Sequence, residues 1–210
     1  MATVCIDHEK LAYGLEQGIG NTGAPVASLP ADERLRMAPC GLVSSAIHQY
    51  AQREGIASRL GISSPKLSFH PEMQHVIAIL GEDSDSVCVD ASPSQFLMYA
   101  GLAVAYERYY KAKFFPPEKI ISFKLDEAQI AVDWLTKHAV AFQKINTRPS
   151  DTFGLLGTGP LADSSETTMR EAYGQIYNPD NFVDWTPPPQ VQEHSRVACL
   201  SIPAGLISIQ

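Results

Sequence analysis

Apolar runs long enough to cross a bilayer are missing from this chain of 210 residues, and Asp83 and Asp85 break its most apolar region. The N-terminal MATVCIDHEK has no basic segment leading into an apolar one. No signal peptide is therefore expected, and the expected location is cytoplasmic with no membrane partner. Positive charge is in the minority: 16 Lys and Arg stand against 23 Asp and Glu, a net −7, with neither sign clustered. That excludes the basic footprint of a nucleic-acid or anionic-membrane binder. Cysteine is scarce as well. Cys5, Cys40, Cys88 and Cys199 lie far apart without a C-x-x-C pair, which argues against a disulfide scaffold.

Several chemical signatures are also absent. Cys5-x-x-His8 and His70-x-x-x-x-His75 come nearest to metal-ligand spacing, and neither matches a zinc pattern, so no metal is expected. The Gly-rich stretch Gly18 to Gly23 has no strong strand ahead of it, and it is expected to be a flexible surface loop rather than a dinucleotide loop. No cofactor is expected. A G-x-S-x-G serine nucleophile is not present either.

What remains is a folded chain, 45% hydrophobic and 19% charged, of a length that suits one well-buried core. It is expected to form a single domain over 1–210 with its core at 38–145. Leu42, Val43, Ala46, Ile47, Tyr50 and Ala51 recur at helical spacing, with Pro39 ahead and Gly55 behind, so Cys40 opens a buried helix. His75 to Leu80 is a compact strand, 81–86 a turn rich in Asp and Ser, and Val87 to Asp90 the returning strand. Paired antiparallel, these bring the start of one strand beside the end of the other. Two more helices are expected, over Leu97–Tyr110 and Asp126–Ile145, the second opened by a capping-box-like Asp126 and Gln129. Frequent Gly and Pro make 146–195 an expected irregular arm or lid, with terminal strands after Val197. The fold class is α+β, a nucleophile-bearing helix on an antiparallel sheet.

A cysteine attacks as its thiolate, so a catalytic one needs a helix N-terminus or a neighbouring base to lower its pKa, and a third group to fix that base. Cys40, His75 and Asp90 supply these parts in order: nucleophile, base and orienting group. At these residues the chain resembles the transglutaminase-like, papain-like cysteine enzymes. The likeness rests on Cys40-Gly41 with Ser44, on Gln74-His75-Val76, and on Asp90-Ala91-Ser92-Pro93-Ser94-Gln95-Phe96, covering Cys40 to Phe96. In that superfamily a Cys begins a helix, a His starts the second core strand and an Asp lies on the third. The pattern around Asp90 and Gln95 is similar to bacterial transglutaminase-like and glutamine-deamidase domains. Pro39 and Val76 depart from the usual neighbours of the Cys and the His.

The resemblance implies acyl transfer through a thioester, with hydrolysis of an amide (peptidase or glutamine deamidase) as the leading expectation. The alternatives are an acyltransferase or transglutaminase handing the acyl group to an amine, and a binding protein on the same fold. The expected partner is a peptide, a protein or a small amide or thioester. Gln95 is expected to support the oxyanion or to anchor the loop bearing Asp90. His48, within the Cys40 helix, is the nearest competitor for the role of base, and His70 is expected at the surface. Cys88, between Val87 and Val89, is expected in the core.

Overall fold

The computed structural model describes residues 4–20, 39–69, 71, 73–82, 85–100, 120–146 and 160–209. Among them the architecture is α+β, with five α-helices and two antiparallel sheets. In chain order these are β1 (Val4–Ile6), α1 (His8–Leu15), α2 (Pro39–Arg53), β2 (Ser58–Ser63), β3 (His75–Leu80), β4 (Val87–Asp90), β5 (Ile121–Lys124), α3 (Gln129–Asn146), α4 (Glu166–Ile176), β6 (Phe182–Asp184), α5 (Pro189–Ser201) and β7 (Ile207–Ile209). The main sheet has the order β5-β4-β3-β2-β6, and β1 pairs with β7 in the second.

Side chains alternate across a strand, so β3 serves two cores. Val76, Ala78 and Leu80, with Val87, Val89 and Leu60, pack against Val43, Ala46, Ile47 and Tyr50 of α2. Ile77 and Ile79, with Cys88, Ile121 and Phe123, face Leu135 and Ala139 of α3 and Met169, Tyr173 and Ile176 of α4. The sheet is thus the middle layer. His75, in phase with Ile77, points toward the α3 and α4 side.

The helix of Cys40 forms as its spacing predicts and stops at Gly55. That residue has φ +74°, and the following Ile56 N–H returns to Ala51 O at 2.8 Å, closing the α2 C-terminus as a glycine in the left-handed region does. α5 lies alongside α2 in the same direction. Gln49 Nε2 donates to Gln192 O and Ser195 Oγ, and one turn on Arg53 donates to Cys199 O and Ile202 O, satisfying carbonyls at the end of α5.

Several expectations are corrected here. Within the stretch 146–195, expected as an irregular arm, the described residues are regular: 146 ends α3, and from 160 onward stand α4, β6 and most of α5, while 147–159 lie outside the described residues. Ser165 caps α4 by accepting from Thr168 N, and the prolines at 187–189 lead into α5, where a first-turn proline loses no helical hydrogen bond. The terminal segment after Val197 continues α5 to Ser201 before β7. Gly18 sits not in a loose loop but in a π-helical turn, Glu16–Gly20, against α5. A 3-10 turn, Leu125–Glu127, precedes α3, and Gln129 donates to Asp133 instead of capping. The expected helix over 97–110 is described only to residue 100, where a 3-10 segment, Pro93–Ala100, stands; its remainder and His70 lie outside the described residues.

Candidate active site

The β3–β4 register pairs Ala78 with Val89 and Ile79 with Cys88, so Asp90 ends β4 on the same face as His75, close to where β3 begins. Across this gap His75 Nε2–H donates to Asp90 Oδ2 at 2.6 Å, with both side chains fully buried. The other carboxylate oxygen takes Ser92 N–H at 2.8 Å and Ser92 Oγ–H at 3.1 Å. One carboxylate thus both shapes the turn after β4 and holds the imidazole. Cys40 stands in the first turn of α2, near enough to the His75 imidazole and the Val76 backbone N–H for both to favour its thiolate. Ser44, one turn along, donates to Val76 O at 2.8 Å and ties the helix start to the same strand.

The charges follow from these contacts. Burial would raise the Cys40 thiol, but the hydrogen bond and charge of His75, with the Val76 N–H, outweigh it and bring the pKa below the ordinary value. Burial would depress His75, yet the charge and hydrogen bond of Asp90 push it up to about 10. Burial likewise opposes ionisation of Asp90, and His75, Tyr177 and the Ser92 N–H hold it below the usual carboxylate range. By contrast, burial pushes Cys88 up to about 12 and raises Cys199. Cys88 is wholly buried, as its apolar flanks predict.

All three proposed triad residues are thus brought together. Gln95 joins them through its carboxamide, whose nitrogen lies 2.8 Å from His75 Nδ1. The rival base His48 does not. It bonds through Nδ1 to Ser58 Oγ at 2.8 Å.

Tyr177 is the member that sequence reasoning missed. Its hydroxyl donates to Asp90 Oδ2 at 2.6 Å, the same oxygen that His75 holds, and its ring meets the imidazole edge-on at 5.7 Å. Phe96 packs on the imidazole in the same manner at 4.7 Å. Tyr177 lies 87 residues beyond Asp90 and just past α4, in the stretch expected to be irregular, so no local pattern marked it.

The site is enclosed, with Cys40 only 2% exposed. A groove of about 1030 Å³ between α2 and α5 is lined by His48, Gln49, Arg53, Trp185, Gln192 and Arg196, among others, and includes none of the triad. Trp185, which lines the groove, also reaches the residue after Cys40: a Cβ on Gly41 would lie 3.2 Å from its ring. Among the described residues no cluster of His, Cys, Asp and Glu suits a metal ion, and no helix is long and apolar enough to cross a membrane. No family model, characterised protein or solved structure matches the chain.

Proposed function

We propose that this protein is a cysteine-dependent amide hydrolase, a peptidase or glutamine deamidase, working through a thioester on Cys40 within a papain-like or transglutaminase-like core. The observation that carries the reading is the buried, hydrogen-bonded His75–Asp90 pair with Cys40 buried beside it, its thiol held below the ordinary pKa.

In this mechanism the Cys40 proton passes to Nδ1 of His75, because Nε2–H is committed to Asp90. The thiolate attacks the amide carbonyl carbon, and the negative charge moves to the carbonyl oxygen. The first N–H groups of a helix have no intrahelical acceptor, so Cys40 N–H in the first turn of α2 is placed to receive that oxyanion. As the C–N bond breaks, the imidazolium returns its proton through Nδ1 to the leaving nitrogen. Water, deprotonated by the same imidazole, then cleaves the thioester and restores the thiol. Asp90 keeps the ring in one tautomer throughout.

The test is intact-mass analysis after incubation with glutamine-containing peptides. Deamidation adds about one mass unit to the peptide, proteolysis divides it, and a slow second step leaves an adduct on Cys40. Cys40→Ala abolishes turnover while the protein stays folded, and Ala at Cys5, Cys88 or Cys199 leaves most of it. An amide formed with an added primary amine would move the reading to acyl transfer. Normal turnover by Cys40→Ala would end it.

A further inference from the structure

Gln95 is the part-exposed member of an otherwise buried site. Its carboxamide nitrogen lies on His75 Nδ1, the ring nitrogen the thiol needs, because the other is bound to Asp90. A ring nitrogen offers one lone pair when neutral and one proton when charged, so it serves one of these two partners well at a time. An N–H from Gln95 requires the neutral ring. The charge on Asp90 favours the protonated ring, and it is the ring's charge, not Asp90 itself, that favours the thiolate beside it. The two demands cannot be met together, and the arrangement therefore has two states.

We propose that Gln95 is a displaceable cap on the base: in one of the two states its carboxamide occupies Nδ1 of the neutral ring, and an arriving substrate pushes it aside, leaving the state in which Nδ1 takes the Cys40 proton. The inference rests on the acyl-transfer reading above. Gln95 is then a positioning residue that acts through His75. The step is a proton transfer alone: the S–H bond breaks, an N–H bond forms at Nδ1, and the hydrogen bond from Gln95 to Nδ1 is given up. The ionisable groups around the imidazole are Cys40 from α2, Asp90 from β4 and Tyr177 after α4, with Tyr173 one turn before it. Asp90 and Tyr177 act on the Nε2 side, through one shared carboxylate oxygen. Cys40 and Gln95 contend for the Nδ1 side. Gln95 is carried on the 3-10 segment that opens with Gln95 N–H on Ser92 O at 3.1 Å. A small movement of that segment shifts the carboxamide without touching the helix of Cys40.

The experiment is the pH dependence of Cys40 alkylation by iodoacetamide, read peptide by peptide, for wild type, Gln95→Ala and Gln95→Met. Removing a donor that favours the neutral ring makes thiolate formation easier, so the Cys40 inflection moves to lower pH in both variants, by about one unit for one hydrogen bond. Gln95→Ala also labels several-fold faster on its plateau because the slot is empty, whereas Met fills the slot without a donor and does not. Cys88 and Cys199 labelling stays unchanged and reports that the fold is intact. Met, close in volume, carries the test alone if Ala unfolds the segment. An inflection that stays put or moves to higher pH in the variants, with wild-type Cys40 still an activated thiol, overturns the cap and leaves the catalytic reading standing. Cys40 titrating as an ordinary thiol in all three proteins overturns both.

Discussion

Asp90 is the residue on which the proposed site depends, because it is a fully buried charge. An ion buried without partners costs several kcal/mol, and here four donors offset that cost: the His75 ring, the Tyr177 hydroxyl, and the backbone N–H and side chain of Ser92. Tyr177→Phe removes one of these donors and little volume. With Oδ2 less satisfied, the carboxylate holds the imidazolium more tightly, and both the thiolate and the charged ring form more readily. Under the proposed mechanism the rate should be bell-shaped against pH, and in this variant the bell should broaden, its acid limb moving down and its alkaline limb up, each by about one unit or less. Stability should fall by about 1–3 kcal/mol, the worth of a hydrogen bond to a charged group. A profile identical to wild type would leave Tyr177 as a packing residue only.

Elements meet in this protein through glycines where helix backbones come close. A Cβ on Gly14 would lie 2.5 Å from Ile202 Cα, and one on Gly18 2.5 Å from Ala198 Cα. Backbone atoms cannot rotate out of the way, so even one methyl group must push α5 outward from α1 and the turn that follows it. Because α5 also lines α2, the disturbance reaches the helix of Cys40. Gly18→Ala should therefore destabilise by about 1–3 kcal/mol, as overpacking does. Gly174, inside α4, has open space where a Cβ would stand, with nothing within 4 Å, and sits at an ordinary helical angle. Gly174→Ala should instead stabilise by about 1 kcal/mol through helix propensity. Chemical denaturation of the two variants distinguishes close packing from intrinsic propensity. Equal effects would contradict the backbone contact at Gly18.

For the whole molecule, the His75–Asp90 pair links folding to pH with opposite signs at its two ends. Asp90 is held below its ordinary value, so its contribution is full above about pH 4 and is lost as pH falls through the lowered folded value. His75 is raised to about 10, so its contribution is full below the ordinary value near 6.5 and is lost as pH climbs toward 10. Between about pH 4 and 6.5 both contributions are intact. Thermal unfolding of wild type and Asp90→Asn across the pH range should show the largest difference in Tm in that window, narrowing on both sides. A difference independent of pH would mean that the pair is not ionised in the folded protein.

Much of the site was legible because its parts obey local rules. Helical spacing after Pro39 placed Cys40 at a helix start, and two short apolar runs around a polar turn placed His75 and Asp90 near each other, as a hairpin's register requires. Gln95 came from the resemblance of the stretch from Asp90 to Phe96 to transglutaminase-like domains, but its contact with Nδ1 depends on how the 3-10 segment lies against β3. Tyr177, the pairing of β6 with β2, the run of α5 along α2 and the close approach at Gly18 all join residues far apart in the chain. The prolines and glycines of the C-terminal third suggested irregularity because each disfavours a helix or strand interior when read alone. Among the described residues, Pro189 stands in a helix's first turn, Gly174 on a helix face clear of other atoms and Gly205 in a turn at positive φ, where the same residues are tolerated or required. The sequence by itself determined the helix that Cys40 opens and the strand pair that joins His75 to Asp90, since those depend on periodicity and short separations. Tertiary structure alone decided what surrounds them, because burial, the Tyr177 donor on Asp90 and the Gln95 contact with Nδ1 exist only when distant segments share one core.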